Sequence, residues 1–325
     1  MINVTITGTG MLVQELLPVL TKMSELTVTS LCGTLRSKDT VDYLCDKYNI
    51  GRSFTDYDDM LNTLSPSSTE AVYIATPNNT HYDMAKKALE KGFNVILEKP
   101  FVLHSAQAED LRAVARKNNI ILLEAISNQY LPVYSNIKQN LHLIGEIKYV
   151  DCNFCQYSSR YDRFRAGEYF KVFDQSCGGG ALMDLNVYNL HLLAGIFGSP
   201  LKVHYYPNIE KDVDTSGVII AEYKDFKATL TAAKDSQGPS RFLIQGTKGY
   251  LLVNAPANTL ASDLIFYDNT SKLTSVIYRC DLLHRVIPEF KAFSDIIGNK
   301  DYDKAESLLS ESLTVVELLE KCSLD

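Results

Sequence analysis

Three side chains in this sequence are of types that move protons at a carbon–oxygen bond: Lys99, Asp184 and Tyr188. Lys99 follows a short apolar run that ends in Glu98, and Pro100 comes directly after it. This places Lys99 at the carboxyl end of a predicted parallel strand, where open α/β sheets bind their ligands. Its ammonium can hydrogen-bond a substrate oxygen and stabilise charge that develops there, whereas the alternative is a surface lysine in a turn.

Asp184 and Tyr188 lie four positions apart on a helix predicted to follow the flexible segment Gly178-Gly179-Gly180, so both project from one face. A phenol, with an ordinary pKa of about 10, becomes a useful acid or base when a neighbouring ammonium stabilises its anion. We therefore predict that Tyr188 moves the proton, Lys99 is its electrostatic partner, and Asp184 orients substrate or lysine. Whether Lys99 or Tyr188 carries the proton stays open, and a core tyrosine beside a helix-capping aspartate is the alternative. His191, near the same face, is predicted to pack or to support other groups.

A glycine pair near the N terminus indicates what accompanies this proton transfer. Gly8-Thr9-Gly10 follows the first predicted strand and opens a helix at Met11, and glycines there let backbone N–H groups approach a pyrophosphate. Val13 stands where the third glycine of the dinucleotide fingerprint belongs, and a purely structural turn is the alternative. The position between strand and helix favours a dinucleotide, so the predicted chemistry is hydride transfer between a nicotinamide ring and a hydroxyl or carbonyl group.

The residues after the second predicted strand bear on the choice between NADP and NAD. An Asp or Glu at this point would hold the ribose 2′-hydroxyl of NAD, and residues 31–37 contain neither. Thr34, Arg36 and Ser37 can instead donate hydrogen bonds to a 2′-phosphate. NADP is therefore predicted, NAD remains possible, and the alternative is that Arg36 is solvated while Ser37 merely caps a helix.

Apolar runs alternate with helical segments over the first 124 residues, which predicts parallel strands joined by right-handed crossovers. Helices are predicted over Asn79–Lys91, ending at Gly92, and from Ser105, as the N-cap, to Lys117. The predicted strands are Ile2–Thr7, Leu26–Leu31, Ala71–Thr76, Phe93–Glu98 and Ile120–Ala125.

The pattern changes after Ala125, where long alternating stretches predict antiparallel strands with one solvated face. Helices are predicted over Asn136–Leu143 and Lys304–Lys321. The predicted strands of this half are Ile147–Gln156, Val218–Ala233 and Tyr250–Asn254. The sequence thus predicts an α/β Rossmann dinucleotide-binding domain over residues 1–124 and, over residues 125–325, an α+β domain with a large open, mainly antiparallel sheet that carries the substrate pocket.

Composition limits the class of protein. Of 325 residues, 46% are apolar and 22% charged, as in ordinary globular enzymes. The net charge of -7, with 32 Lys and Arg against 39 Asp and Glu, argues against nucleic acid as a partner. No window approaches the roughly 18 apolar residues of a membrane span, and a strand rather than a leader is predicted at Met1 to Gly8. Seven scattered cysteines favour a reducing, cytoplasmic location, and Cys152 and Cys155 alone do not predict a metal site.

Four signatures occur in order: Gly8-Thr9-Gly10, Thr76-Pro77-Asn78 with His81, Glu98-Lys99-Pro100, and GGGALMDLNVY at residues 178–188. Together they resemble the Gfo/Idh/MocA family of oxidoreductases over essentially the whole chain. The resemblance implies cofactor contacts at Thr76, Pro77, Asn78 and His81, Glu98 near the nicotinamide ribose, and Lys99 at the reacting carbon. A tyrosine at position 188 resembles the glucose-fructose oxidoreductase and dihydrodiol dehydrogenase branch, which implies a small, sugar- or polyol-like substrate and a homodimer or homotetramer.

The sequence also departs from the family pattern. Residues 124–132 resemble a family stretch that often carries arginine, and Gln129 stands in its place, so substrates with a carboxylate or phosphate there are less expected. Arg160, Arg163 and Arg165 either restore positive charge or are simply solvated. Two rival functions remain: a non-catalytic, nucleotide-sensing binding protein, and a redox-assisted glycosidase with tightly held NAD.

Overall fold

The computed structural model describes residues 1–323, and the chain divides into two compact units. The first comprises Met1–Ala125 and Val286–Leu313, and the second comprises Ile126–Arg285 and the chain from Thr314 onward. The chain first passes from one unit to the other after Ala125, one residue beyond the predicted boundary after residue 124. Residues 286–313 belong to the first unit, whereas the sequence predicts that they belong to the second domain, residues 125–325.

The first unit is built on a six-stranded parallel sheet with strand order β3-β2-β1-β4-β5-β6. Its strands are β1 Ile2–Thr7, β2 Leu26–Cys32, β3 Arg52–Phe54, β4 Ala71–Ile74, β5 Asn94–Glu98 and β6 Leu122–Ala125. The order reverses between β1 and β4, as in a Rossmann fold, so the predicted fold of this unit is confirmed. Strand β3 was not predicted because it is a three-residue edge strand without an apolar run.

Helices cross between these parallel strands, as the alternating pattern predicts. They are α1 Met11–Leu20, α2 Lys38–Tyr48, α3 Tyr57–Thr63, α4 His81–Glu90 and α5 Ser105–Asn118. Gly92 follows α4 with a φ of +89°, a conformation that favours glycine, as predicted. The prediction that Ser105 caps its helix is wrong: Ser105 is the first helical residue, and the extended residue before it is His104. The prediction used residue type alone and therefore placed the N-cap of α5 one residue too late.

The second unit is built on an eight-stranded sheet with strand order β14-β13-β12-β11-β7-β10-β9-β8. Its strands are β7 Ile147–Cys155, β8 Lys202–Glu210, β9 Val213–Glu222, β10 Lys227–Ala233, β11 Arg241–Gly246, β12 Gly249–Val253, β13 Leu264–Asp268 and β14 Thr274–Tyr278. All neighbours are antiparallel except β7 and β10, which confirms the predicted mainly antiparallel sheet. The stretch Val218–Ala233, predicted as continuous, belongs to two strands joined by a tight turn in which Tyr223 N–H donates to Phe226 O at 3.0 Å.

The helices that lie wholly in the second unit are α6 Pro132–Asn140, α7 Tyr161–Arg165 and α8 Val187–Phe197. Helix α6 begins four residues before the predicted Asn136 because proline is favoured at the first helical position. Buried residues of α8, such as Leu190 and Leu193, belong to the same apolar core as the sheet residues Val150 and Leu230.

Two further helices, α9 Val286–Gly298 and α10 Tyr302–Ser323, end the described chain. Helix α9 contacts α1 and β1, and Phe290 packs edge-on against Tyr73 at a centroid distance of 5.2 Å. Helical periodicity shows that a segment has an apolar face but does not show which sheet that face covers, and this is why the return to the first unit was missed. Within residues 1–323, no helix is long and apolar enough to cross a membrane.

Candidate functional site

The turn after β1 has room for an anionic group. Gly8 has a φ of +120°, and a Cβ there would lie 2.2 Å from the Ala75 carbonyl oxygen, so only glycine fits. A Cβ on Gly10 would meet no atom within 4 Å. Gly10 is also the N-cap of the ten-residue helix α1, which has no side-chain cap and no acidic residue in its first turn. The first N–H groups and the positive end of this helix, which begins at the exposed Met11, fit a pyrophosphate.

The turn after β2 holds the residues predicted to select the ribose. Thr34 and Arg36 are exposed, and Ser37 is partly exposed. The Ser37 hydroxyl accepts a hydrogen bond from Thr34 N–H at 2.9 Å and donates to the Thr34 carbonyl at 3.1 Å. Ser37 therefore closes the turn, and Thr34 and Arg36 are its exposed side chains that can donate hydrogen bonds, beside the exposed but apolar Leu35. Gly33 lies between this turn and the first one, because a Cβ on it would approach the Thr9 methyl group at 3.2 Å.

His81 ties the loop after β4 to the loop after β5. Its Nε2 lies 3.0 Å from the Thr76 carbonyl, and its Nδ1 lies 3.1 Å from that of Pro100 and 3.2 Å from that of Phe101. His81 is fully buried, and burial lowers its pKa. The buried ring therefore links the Thr76-Pro77-Asn78 loop to the Pro100 loop, and its contribution to cofactor binding stays a prediction.

Glu98 is buried at the end of β5 and is held by the strand beside it. The Tyr73 hydroxyl donates to Glu98 Oε1 at 2.5 Å, and Lys99 N–H donates to Glu98 Oε2 at 3.2 Å. The peptide bond between Lys99 and Pro100 is cis, and the Lys99 side chain is partly exposed. The sequence reasoning missed Tyr73, although it lies in an apolar strand where a buried hydroxyl needs a partner.

The predicted site residues of the first unit all follow the carboxyl ends of neighbouring strands. The turns after β1, β2, β4 and β5 contain Gly8 to Met11, Thr34 to Ser37, Thr76 to His81, and Lys99, with Glu98 as the last residue of β5. Since these strands are parallel and adjacent, the four turns share one edge of the sheet.

In the second unit, Asp184 and Tyr188 lie on one continuous helical segment, but it does not begin as an ordinary α-helix. Asp184 is in a π-helical turn, Leu182–Asn186, that leads directly into α8, where Tyr188 is the second residue. Such wide turns are rare and are frequently found at functional sites. The predicted helix is therefore present, with a local distortion at its first turn that the spacing of residues did not indicate.

The glycines before this turn are required by close contacts. A Cβ on Gly179 would lie 2.7 Å from the Lys171 carbonyl oxygen, and one on Gly180, whose φ is +107°, would lie 1.8 Å from Asp214 Oδ1. Asp214 Oδ2 accepts hydrogen bonds from Leu182 N–H at 2.6 Å and from the Tyr205 hydroxyl at 2.7 Å. Asp214, on strand β9, thus caps the N-terminal end of this helical segment, as an N-cap side chain would. Burial raises the pKa of its carboxyl group.

The carboxylate of Asp184 pairs with a lysine that the sequence reasoning did not single out. Lys234 Nζ lies 2.7 Å from Asp184 Oδ2, 2.9 Å from the Val172 carbonyl and 4.8 Å from the centroid of the Phe173 ring. The prediction that Asp184 orients substrate or Lys99 remains a prediction. The sequence did contain a signal: Lys234 is in phase with the buried Ala228, Leu230 and Ala232 of β10, so it points toward the core.

Tyr188 is 6% exposed. Its ring packs edge-on against Phe154 at a centroid distance of 6.1 Å, and its backbone carbonyl accepts a hydrogen bond from Asn128 Nδ2 at 2.9 Å. The helix is therefore anchored to the segment that contains Gln129, whose amide Nε2 lies 3.3 Å from His191 Nδ1. His191 is buried, in agreement with its predicted packing or supporting position.

Two of the three arginines around α7 are paired with local carboxylates. Arg163 donates to Glu168 Oε1 at 2.9 Å and lies 5.1 Å from the Phe170 ring centroid. Arg165 Nε lies 3.3 Å from Glu210 Oε1, and its guanidinium lies 5.9 Å from the Tyr161 ring centroid. Both arginine side chains stay exposed while they pair with these carboxylates, one from the same loop and one from the end of β8. The choice between restored positive charge and simple solvation therefore stays open.

Cys152 and Cys155 are buried in β7, and burial raises the pKa of both thiols. Over residues 1–323, no group of three or more His, Cys, Asp or Glu is arranged to hold a metal ion.

A parallel sheet with glycine turns, a buried carboxylate and a lysine at one edge defines a Rossmann-fold oxidoreductase. Residues 2–125 match the model of the oxidoreductase family with an NAD-binding Rossmann fold, GFO_IDH_MocA, and residues 141–252 match the GFO/IDH/MocA C-terminal domain. The chain belongs to the Gfo/Idh/MocA family, which confirms the resemblance stated from the four signatures.

Individual relatives agree with this assignment. The chain is 28% identical over 323 residues to scyllo-inositol 2-dehydrogenase (NADP(+)) IolU of Bacillus subtilis (strain 168), covering 99% of this chain and 96% of that protein. It is 24% identical over 302 residues to trans-1,2-dihydrobenzene-1,2-diol dehydrogenase of Xenopus tropicalis, covering 86% of this chain and 87% of the other. The second match is to a protein of the dihydrodiol dehydrogenase branch that was expected from Tyr188.

Among solved structures, the fold is similar to that of KijD10, a 3-ketoreductase from Actinomadura kijaniata, in complex with NADP and TDP-benzene. The TM-score is 0.86 at 21% sequence identity, and the match covers 99% of this chain and 97% of that chain. At this identity the comparison shows that the two chains share a fold.

Proposed function

We propose that this protein is an NADP-dependent oxidoreductase that transfers a hydride between the nicotinamide ring and a hydroxyl or carbonyl group of a small, uncharged, sugar- or polyol-like substrate. The observation that carries the proposal is the shared edge of the parallel sheet. There the open space above Gly10, the exposed Thr34 and Arg36, and Lys99 beside the buried Glu98 follow adjacent strands. A dinucleotide needs an anion site, a ribose contact and a reacting end along one such edge.

Each part of this edge has a role for a bound cofactor. Backbone N–H groups at Gly10 and Met11 hold the pyrophosphate, and Thr34 with Arg36 holds the 2′-phosphate. When bound, the nicotinamide accepts or donates the hydride. Two relatives support the choice of NADP: the B. subtilis inositol dehydrogenase is an NADP(+) enzyme, and KijD10 was solved with NADP.

The proposed chemistry at the substrate oxygen uses three side chains. The Lys99 ammonium stabilises negative charge on that oxygen, Tyr188 gives or takes its proton, and Asp184 orients the substrate's other hydroxyl groups. Which of Lys99 and Tyr188 carries the proton is decided by the pH dependence of the variants that remove each of them.

The preference for an uncharged substrate rests on the second unit. Gln129 replaces the arginine often found at its position, and its amide is directed to His191. Arg163 and Arg165 are paired with Glu168 and Glu210. A phosphate or carboxylate on the substrate would have to compete with these pairs, whereas polyol hydroxyl groups need only neutral hydrogen-bond partners.

Two variants test the proposal with NADPH or NADP and a panel of sugars, polyols, dihydrodiols and small aldehydes. Lys99→Met and Tyr188→Phe should each lower kcat by at least about 100-fold while the dissociation constant of NADPH changes less than about threefold, because proton transfer and charge stabilisation act on the reacting oxygen. Lys91→Met, an exposed lysine bound to Asn62, and Tyr206→Phe, an exposed tyrosine, are the matched controls. Full turnover in both site variants refutes the residue assignment.

The cofactor assignment has its own test. Arg36→Ala should weaken NADPH binding about tenfold and leave NADH binding unchanged, because only NADPH carries the 2′-phosphate. Tighter binding of NADH by the wild-type protein refutes the choice of NADP. Saturable cofactor binding without turnover on the whole panel would favour the nucleotide-sensing rival, and nicotinamide absorbance that survives desalting would favour the glycosidase rival.

The proposal includes a homodimer or homotetramer in the cytoplasm. All seven cysteines are free thiols, which suits a reducing compartment. Light scattering coupled to size exclusion decides the assembly, and a mass equal to one chain at micromolar concentration would contradict this part of the proposal.

A further inference from the structure

Lys234 is a buried charge whose ammonium makes three attractive contacts. It binds Asp184 Oδ2 at 2.7 Å and the Val172 carbonyl at 2.9 Å, and it lies 4.8 Å from the centroid of the Phe173 ring. These contacts link two segments, the π-helical turn of Asp184 and the short 3₁₀-helical turn Lys171–Phe173. Burying an ammonium costs several kcal/mol unless it is paired this well, so the arrangement is specific for a cation.

The backbone around Lys234 is also fixed. Lys234 N–H donates to the Thr215 carbonyl at 2.7 Å. The next residue, Asp235, accepts hydrogen bonds from Thr215 Oγ1 at 2.8 Å and Ser216 Oγ at 2.7 Å. On the other side of the strand, Ser158 N–H donates to the Lys234 carbonyl at 2.8 Å. The strand end is thus held from both sides, and the ammonium is presented to Asp184 from a rigid support.

The two members of the ion pair differ in exposure. The Lys234 side chain is 4% exposed, whereas that of Asp184 is 35% exposed. The ammonium therefore lies behind the carboxylate, and a substrate can reach Asp184 without reaching Lys234. This difference assigns the contact with substrate to Asp184 and a supporting position to Lys234.

We propose that Lys234 is a positioning residue of the active site, which fixes the direction of the Asp184 carboxylate and the start of the helix that carries Tyr188. The inference rests on the proposed function. Without the ammonium, the Asp184 carboxylate loses the ion pair that sets its direction, and the segment from Lys171 to Gly180 loses a link to the helix. A displacement of about 1 Å at a reacting group costs on the order of 100-fold in rate.

Kinetics of Lys234→Met, with Lys227→Met as control, test the proposal. Lys227 lies at the other end of β10, is exposed, and is 3.8 Å from Glu222. Lys234→Met should lower kcat by about 10-fold to 100-fold, with the NADPH dissociation constant within about twofold of wild type, because the cofactor residues belong to the other unit. Lys227→Met should match wild type.

A double-mutant cycle separates positioning of Asp184 from general stabilisation. If Lys234 acts through Asp184, Lys234→Met should lower kcat less than about threefold further in an Asp184→Asn background. Multiplicative effects of the two substitutions overturn the proposal, as does wild-type kcat in Lys234→Met. Should that variant fail to fold, Lys234→Gln, which keeps donors but lacks the charge, replaces it in the cycle with the same criteria.

A measurement without substrate keeps this inference distinct from the proposed function. Amide hydrogen exchange of residues 171–186 should accelerate at least about tenfold in Lys234→Met and not in Lys227→Met. Unchanged exchange refutes the positioning of this segment whether or not a substrate is known. Absence of wild-type turnover on the whole panel, with the exchange effect present, refutes only the proposed function.

Discussion

Replacing Gly180 by alanine should strongly destabilise the second unit. A Cβ at position 180 would lie 1.8 Å from Asp214 Oδ1, so the carboxylate has to retreat by about 1.2 Å to restore a contact of 3.0 Å. That movement stretches the hydrogen bonds that Asp214 accepts from Leu182 N–H and the Tyr205 hydroxyl, now 2.6 Å and 2.7 Å long. The methyl group therefore removes the cap of the helix that carries Tyr188.

The magnitude follows from these contacts. Each hydrogen bond to a charged group contributes about 1.5–3 kcal/mol, and a non-glycine residue at a φ of +107° adds about 1–3 kcal/mol of strain. Partial relaxation of Asp214 recovers some of this, so the free energy of unfolding should fall by about 3–5 kcal/mol. Because Asp184 lies in the turn that Asp214 caps, kcat should fall as well.

Urea unfolding followed by far-ultraviolet circular dichroism measures this loss, and tyrosine fluorescence serves as a second probe because the chain has no tryptophan. Gly238→Ala is the control, since Gly238 lies in the same unit, has no positive φ, and its Cβ would lie at an ordinary 3.4 Å from the Cys155 Cβ. The reasoning is refuted if Gly180→Ala lowers the unfolding free energy by less than about 1 kcal/mol, because so small a loss would mean that Asp214 makes room for the methyl group and keeps its hydrogen bonds.

Two other substitutions probe the first unit. His81→Ala should weaken NADPH binding about tenfold, because the buried ring that links the Thr76 loop to the Pro100 loop is lost. Isothermal titration measures the affinity, the exposed His142→Ala is the control, and unchanged affinity would contradict this role of His81. The pKa of Glu306 is lowered chiefly by the hydrogen bond from Arg116, so this carboxylate stabilises the fold above its ordinary pKa of 4.5, and the contribution is lost as pH falls through the lowered value. Glu306→Gln should therefore cost about 1 kcal/mol in urea unfolding at pH 7, and this cost should shrink as the pH falls from 4.5 through the lowered pKa. A cost that does not change with pH over this range would disprove the electrostatic origin.

The Rossmann half was predictable because its signals are local. Parallel strands buried on both faces, such as Ile2–Thr7, are short apolar runs, and the Gly8 turn is marked by residue type. The observed strands differ from the predicted ones by zero to two residues at their ends. Strand β3, Arg52–Phe54, was not predicted because its side chains show no strand pattern. It is a strand only through its backbone pairing with β2.

The candidate site of the second unit was predictable only in part. Asp184 and Tyr188 were found because they are close in sequence. The residues that hold this segment are distant in sequence: Lys234 is 50 and Asp214 is 30 positions after Asp184. Only the folding of the sheet brings them close to it. No spacing rule connects them, and only the position of Lys234, directly after β10 and in phase with its buried residues, marks it as a buried charge.

The role of the three glycines changes accordingly. Their sequence predicts a flexible lead into a helix, but Gly179 and Gly180 are needed because a backbone segment and the Asp214 carboxylate occupy the space that side chains would fill. A glycine that is required by a close contact implies that another group occupies the space of its missing side chain. The motif at residues 178–188 therefore forms only one side of a packed arrangement, and Asp214 on β9 and Lys234 after β10 form the other side. The same motif without a carboxylate at position 214 and a cation at position 234 would leave the π-helical turn uncapped and Asp184 without its support. The motif alone is therefore weaker evidence for a competent site than the motif together with Asp214 and Lys234.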